Sequence, residues 1–269
     1  MRELNTVVCI KPVPDSRYWD RLSLDPRTKT LRREGIPTVI SPLDKNAIEE
    51  ALRIREQRGG KVTVISMGPT NTTDVLMMAY ALGVDDSVLL TDRAFAGADT
   101  LATACGLVSG IRRIGKVDLV LFGDQSLDGS TGQVGPQVAE LLDIPSVTHV
   151  DNIEFVDDDT IRARSRIELG YMVVEAKLPC ALAVVKDINQ VRLTPVDGAL
   201  WATEKTTKQW TAVDCSADAN TIGSKGSPTW VPEVANIEMK RKAEVFKGDP
   251  ATIARALVEK LKSAGIIEG

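Results

Sequence analysis

The chain of 269 residues has little of what most catalytic sites are built from. It has one histidine, His149. Its four cysteines, Cys9, Cys105, Cys180 and Cys215, are scattered, and no two make a C-x-x-C pair. That excludes the common zinc spacings and any Ser-His-Asp or Cys-His arrangement with a histidine to spare. Each cysteine sits among apolar or small residues, so buried free thiols are expected. Aromatic residues make up only 4% of the chain, too few for stacking platforms that hold single-stranded nucleic acid. The formal net charge is −4, which gives no basic field to attract nucleic acid. No apolar run approaches the roughly 20 residues of a membrane span. Met1 to Asn5 lead straight into a strand-like run without a signal-peptide core, so a cytoplasmic location is expected. What remains, 43% hydrophobic and 26% charged, is ordinary for a globular protein of one large α/β domain with an appendage or two small domains.

One stretch stands out, Gly123 to Pro136. The apolar run Val117 to Phe122 leads into it, and a helical pattern from Val138 to Leu142 leaves it. A strand, a loop of small residues and a helix start with Pro136 in its first turn form a phosphate or pyrophosphate cradle, because bare helix N-terminal N–H groups favour an anion. Neither G-x-x-x-x-G-K-[ST] nor G-x-G-x-x-G is present, so an ordinary glycine-rich turn also accounts for these residues.

Before that stretch, strand and helix alternate from residue 6 to 143, the pattern of a parallel sheet with helices on both faces. Thr6 to Ile10 is a buried strand that ends at Lys11 and two prolines; Lys11 either faces a ligand or lies in solvent. Leu22 to Leu31 predicts a small hairpin around Asp25-Pro26. Ser41, Pro42 and Asp44 predict a capping box opening a helix that stops at Gly59-Gly60. The run Lys61 to Met67, a helix over 73–82, a strand over 87–90 and a helix over 101–114 capped by Asp99 or Thr100 follow. In such a sheet ligands sit at the carboxyl ends of the strands, which gathers Cys9, Met67, the 95–100 segment and Gly123 to Val134 in one crevice.

After Pro145 four strand-like runs follow, 146–155, 160–168, 171–177 and 180–185, for which antiparallel hairpins are expected. Arg162, Arg164 and Arg166 share one face of the second run, either as a solvated surface or as an edge for an anionic partner. From Asp187 the sequence is irregular, and its apolar residues Leu200, Trp201, Trp210, Ile222, Trp230 and Val231 need cover; an arm lying on another subunit is expected. Asp249 and Pro250 open a clear final helix.

Taken together, Val7 to Asp15, Ser41 to Ala51, Met67-Gly68-Pro69, Ala81 to Asp85, Arg166 to Tyr171, Val174 to Pro179 and Gly226 to Thr229 resemble the β subunit of electron-transfer flavoproteins across nearly the whole chain. The resemblance implies a Rossmann-like, mostly parallel sheet with helices on both faces, an antiparallel extension and a C-terminal arm. It implies a nucleotide domain over 1–190, a partner-wrapping arm over 191–248, and a helix over 249–269 docking on a flavin-carrying α subunit. Two stretches, Phe95 to Thr103 and Asp128 to Pro136, resemble the electron-bifurcating branch, in which the β nucleotide is FAD and NADH is the electron donor; the simple branch holds AMP. Small residues at 96–98 and 129–132 suit the approach of a flavin and a nicotinamide.

By matching positions, Asp128, Gly129, Ser130, Thr131, Gly132, Gln133 and Val134 line phosphate and ribose, with Gly123 and Gln125 in the same pocket. Cys9, Asp44 and Met67 lie on the adenine side, and Asp99 and Thr100 near the flavin. Ser126, Ser130 and Gly132 stand where the family usually has an alanine, an acidic residue and an alanine. The segment Asn189 to Val196 matches the partner-recognition segment. Its Gln190 and Val191 replace the family's usual Glu-Pro, so the partner is either an acyl-CoA dehydrogenase or a lactate-type dehydrogenase; ferredoxin is the low-potential acceptor. A non-redox nucleotide-binding regulator of the stress-protein kind is the rival, though it would not need the arm.

Overall fold

The first strand, β1 (Leu4–Cys9), sends Leu4 and Val8 into one apolar layer and Val7 and Cys9 into another. Side chains alternate along a strand, so a run apolar at both parities is stable only with cover on both faces. The chain is seen in a computed structural model that describes residues 2–24, 31–32, 35–231 and 243–267.

Beyond β1, the short strands β2 (Pro12–Pro14), β3 (Ser23–Leu24), β4 (Leu31–Arg32) and β5 (Thr38–Ile40) make two antiparallel pairs, β2 with β5 and β3 with β4. The second pair is the expected hairpin; its Asp25-Pro26 turn lies outside the described residues. Then come α1 (Pro42–Arg58), β6 (Gly60–Met67), α2 (Thr73–Leu82), β7 (Asp86–Leu90), α3 (Thr100–Ile114), β8 (Leu119–Gly123) and α4 (Val134–Leu142). The antiparallel meander β9 (Ser146–Phe155), β10 (Thr160–Ile167), β11 (Gly170–Lys177) leads to β12 (Cys180–Val184), α5 (Val196–Thr203), β13 (Lys208–Trp210) and the single turn α6 (Gly223–Gly226).

One nine-stranded sheet results, in the order β11-β10-β9-β12-β8-β1-β6-β7-β13. From β9 to β13 the neighbours are parallel. Helices α1 and α2 cover one face and α3 and α4 the other. The chain moves outward from β1 through β6 to β7, then returns to place β8 on the other side of β1. Connections leaving β1 and β8 diverge to opposite faces, which opens a crevice at their carboxyl ends.

Two expectations change. β12 is not a fourth antiparallel strand: it runs parallel between β8 and β9. All five of its residues, Cys-Ala-Leu-Ala-Val, are buried, and such a strand belongs in the middle of a two-faced sheet rather than at an edge. β9 bends at His149, whose φ of 53° accompanies a shift of register, and its far end Phe155 lies under the Arg58 guanidinium at 4.1 Å. The second change concerns the arm. The compact unit runs to Pro232, well past residue 190. Trp201 packs edge-on against Tyr80 at 6.0 Å, Trp210 closes the sheet in β13, and Ile222 is buried on the α3 face. Those side chains find cover within the chain; Leu200, Trp230 and Val231 remain exposed.

The arginine row is also settled internally. Arg162 pairs with Glu175 at 2.7 Å, Arg164 with Asp151 at 2.6 Å, and Arg166 with Asp151 and Asp187 at 2.8 and 2.7 Å. All four cysteines are free thiols. In the second unit, Glu233–Gly269, α7 (Pro250–Ser263) begins as expected, with the Asp249 carboxylate accepting from the Ala251 and Thr252 N–H groups.

Candidate nucleotide site

A buried carboxylate ties the crevice together. Asp44, in the first turn of α1, does not complete the expected capping box, and Ser41 makes no side-chain bond to the helix. Instead Asp44 Oδ2 accepts the Lys11 N–H at 2.7 Å and Oδ1 accepts the Gly123 N–H at 3.2 Å. The backbone donors at the ends of β1 and β8 are thereby satisfied, and the two strands are pinned across the point where the sheet order reverses. Burial pushes the Asp44 carboxyl up to about 7, against the pull of those two donors and of the Lys11 charge. Burial, with Asp44 nearby, also pushes up the Cys9 thiol, leaving it a packed apolar residue. At residue 123 only glycine fits, because a Cβ would lie 2.4 Å from Asp44 Oδ1 and 2.7 Å from Asp44 N.

From Gly123 the loop turns back on itself. Ser130 and Gly132 take left-handed backbone, φ 49° and 62°. The Ser126 carbonyl accepts both the Ser130 N–H at 3.0 Å and the Ser130 hydroxyl at 3.1 Å. Gln125, Asp128, Gly129, Thr131 and Gln133 are exposed along this curl. α4 then starts at Val134 with no side chain capping it, so its first-turn N–H groups are open to an anion. Lys11 reaches over the curl: its Nζ lies 2.7 Å from Asp128 Oδ1 and 3.5 Å from Ser126 Oγ. Burial opposes ionisation of Asp128, but the Lys11 ammonium outweighs it and the carboxyl lies below its ordinary range.

Of the expected site residues, Asp44 therefore meets Gly123 beside Cys9, and Asp128 and Gly129 of the curl stand beside the Lys11 ammonium. Thr100, at the head of α3, joins them through its hydroxyl, which donates to Gln133 Oε1 at 2.9 Å and accepts from Gln137 Nε2 at 3.4 Å. Met67 ends β6 but packs toward α3, where a Cβ at Gly106 would meet its sulfur at 2.8 Å. Asp99 caps α3 through the Ala102 N–H at 3.0 Å, and its other oxygen accepts the Thr229 N–H and hydroxyl at 3.1 and 2.7 Å. It holds the 223–229 segment. Gly97 has the same role: its φ is 73° and a Cβ there would come 3.1 Å from the Ser224 Cβ.

Lys11 earns a place in the site that its sequence position left open, because only the fold sets it across from Asp128. The Asp124–His149 pair was not legible at all. Asp124 accepts the His149 N–H at 3.1 Å and lies 2.9 Å from Nδ1, a contact created by the bend in β9.

Orphaned polar atoms add to the cradle. Among the described residues four side-chain polar atoms are buried without a partner: the Ser41 and Ser66 hydroxyls, Gln137 Oε1 and, at the far end of α1, Arg58 Nε. Buried polar groups are rarely left so, and those of Ser41 and Gln137 stand at the heads of the two helices that flank the crevice. The electron transfer flavoprotein domain pattern matches residues 28–217. The chain belongs to the electron transfer flavoprotein β-subunit family. It is 46% identical to the electron transfer flavoprotein subunit beta of Clostridium acetobutylicum over 259 residues, covering 96% of this chain and 98% of that one. It is 47% identical to the subunit beta of Thermoanaerobacterium thermosaccharolyticum over 265 residues, 98% of this chain and 100% of that one. It is also 40% identical, over 98% of its length and 100% of the other's, to the caffeyl-CoA reductase-Etf complex subunit CarD of Acetobacterium woodii. A β subunit in this family implies an α-subunit partner. Among the described residues no helix is long and apolar enough to cross a membrane.

The latch gives a first test. Lys11→Met should weaken nucleotide retention about tenfold, the value of one charge-assisted contact. Unfolding stability should change by less than about 1 kcal/mol, because the pair is largely exposed. Dialysis of the purified protein followed by release and chromatography of its nucleotide checks the first, and urea titration the second.

Proposed function

We propose that this chain binds FAD in the β1–β8 crevice and serves as the β subunit of a bifurcating electron transfer flavoprotein. In this reading NADH donates the electrons, which part toward a low-potential acceptor such as ferredoxin and, through the α-subunit FAD, toward a partner dehydrogenase. Bound FAD supplies the exchange between two-electron and one-electron chemistry. The observation that carries the nucleotide reading is the uncapped start of α4 behind the curled 124–133 loop, with Lys11 held across it.

The residues fit such a group. First-turn N–H groups of α4 and the Lys11 ammonium would hold the pyrophosphate. Ser41, Ser66 and Asp44 would meet the adenine side, and Gln133 and Thr100 would orient the ribose side. His149 and Asp124 stiffen the outer wall by pairing with each other. No acid or base in this chain needs to move a proton.

Partner docking is assigned to two places. The 189–196 segment is anchored by Asn189 on Asn46 and Glu50 at 2.9 Å each, and by Arg192 on Glu49 and Glu56 at 2.8 and 2.6 Å. That leaves Leu193 standing out, 93% exposed, for the dehydrogenase. A relative named as part of a caffeyl-CoA reductase complex supports a CoA-ester dehydrogenase over a lactate-type one. The 243–267 segment, whose α7 buries no residue among those described, would dock on the α subunit.

AMP in place of FAD is the second reading, favoured by the role found for Gly97, which makes room for Ser224 rather than for a ring. Nucleotide release from the purified αβ complex separates the two. Two FAD per heterodimer are expected; one FAD with one AMP would sink the bifurcating version and leave the simple carrier.

A further inference from the structure

The opposite end of the sheet holds a second cavity. It has a volume of about 460 Å³, and its floor is made by the amino-terminal halves of β1, β6 and β7 together with β13, on the face that carries α3. Valines 7 and 88 and Trp210 give it apolar walls, and Thr63 a hydroxyl. Four cations surround it: Lys61, Arg113, Lys116 and Lys208. The acids facing this group are few. Asp86 is shared by Lys61 and Lys208, the latter at 2.9 Å. Asp214, just outside the lining, uses its carboxylate on the Thr211 N–H and hydroxyl, while Arg113 donates to its backbone carbonyl and lies over the Trp210 ring at 4.9 Å. Asp118, beside Asn5, is bonded to Arg2.

The four cations are exposed at the rim and so are individually solvated, but together, against one shared acid, they focus a positive field into a concave, partly apolar space, which favours a counter-anion there. The α3 carboxyl end explains one basic residue, since a helix C-terminus carries about half a negative charge. Asp86 partners the lysines delivered from β6 and β13, but it supplies one negative charge for two cations, so the set keeps a net positive charge. The volume lies within the range of about 300–1,000 Å³ usual for small-molecule sites. We infer that this cavity is an anion site for a phosphate or polyphosphate compound, separate from the nucleotide crevice at the other end of the strands. Lys116 and Lys208 are the contacts that reach the ligand, Lys61 keeps Asp86 neutralised when Lys208 turns away, and Thr63 donates its hydroxyl.

Inorganic pyrophosphate is the probe, added to the intact αβ complex at low ionic strength with its nucleotides in place, and followed by calorimetry. One saturable event per heterodimer is expected. Lys116→Ala and Lys208→Ala should each weaken it about tenfold, the value of one charge-assisted hydrogen bond. Nucleotide content should not change in either variant. Absence of saturable binding, binding unchanged in both variants, or binding weakened by Lys11→Met instead would each overturn the assignment. Lys116 is exposed and ends no element, so Lys116→Ala keeps the test valid should Lys208→Ala disturb β13.

Discussion

Gly123→Ala should empty the nucleotide crevice. The new methyl would lie 2.4 Å from Asp44 Oδ1, 2.7 Å from Asp44 N and 2.7 Å from the Leu43 carbonyl carbon. Two of those three are backbone atoms, so the head of α1 must move rather than a side chain swing aside. Moving it breaks the Asp44 bridge to the Lys11 and Gly123 N–H groups and spreads β1 from β8 at the mouth of the proposed nucleotide crevice. Overpacking of this kind costs about 1–3 kcal/mol of stability. Nucleotide retention should fall by far more than tenfold, because the crevice is reshaped and not merely deprived of one contact. Gly132→Ala is the comparison. Its φ of 62° makes alanine strained, yet the nearest atom to a Cβ is the Asp124 carbonyl at 3.4 Å, which leaves room. That change should cost about 1 kcal/mol and keep most of the nucleotide. Equal loss in the two variants would show that loop conformation, not the Asp44 bridge, governs the site.

The second large effect is a pH dependence traced to Asp44. Its folded-state pKa is raised to about 7 from the ordinary carboxylate value of 3.8. Below about pH 4 the carboxyl is protonated in folded and unfolded chains alike, and it contributes no slope. Between about pH 4 and 7 the folded chain keeps a proton that the unfolded chain has lost. Stability from this group therefore falls as pH rises through that window and is level above it. The whole fall is on the order of 4 kcal/mol. Asp44→Asn removes the titration while keeping the shape. The stability of the parent chain minus that of the variant should decline from pH 4 to pH 8, read from urea titrations at each pH. Carboxylates held below their ordinary range, such as Asp86 and Asp151, give slopes of the opposite sign, but they are common to both proteins and cancel in the difference. A difference that stays flat would mean that the two backbone donors keep Asp44 ionised throughout.

Asp44 also shows where sequence reading stops. Ser-Pro-Leu-Asp has the spacing of a capping box, and the helix does begin there. Local sequence does not reveal that two strand-end N–H groups will stand closer to the carboxylate than the helix's own donors. The same holds at β12. Its composition marks it as a buried strand, but its direction and neighbours depend on the bend at His149, for which a lone histidine in a strand-like run gives no signal. Trp201, Trp210 and Ile222 were legible as apolar residues in need of cover. That the cover is Tyr80, β7 and α3 of the same chain follows from long-range packing.

By itself, then, the sequence determined the alternation of strand and helix, the buried strands, the glycine-bearing loop after β8, the caps at Asp99 and Asp249, and the family. Those features are set by periodicity and by turn and cap chemistry, which act over a few residues. Tertiary structure alone decided the contacts inside the crevice: Lys11 over Asp128, Asp44 between two strand ends, and Thr100 on Gln133, pairs separated by 33 to 117 positions. It also placed β13 beside β7, and so made a cationic cavity from lysines in separate strands. The physical reason is that strand order and side-chain facing are fixed by burying both faces of one sheet at once, a condition that no short stretch of the chain contains.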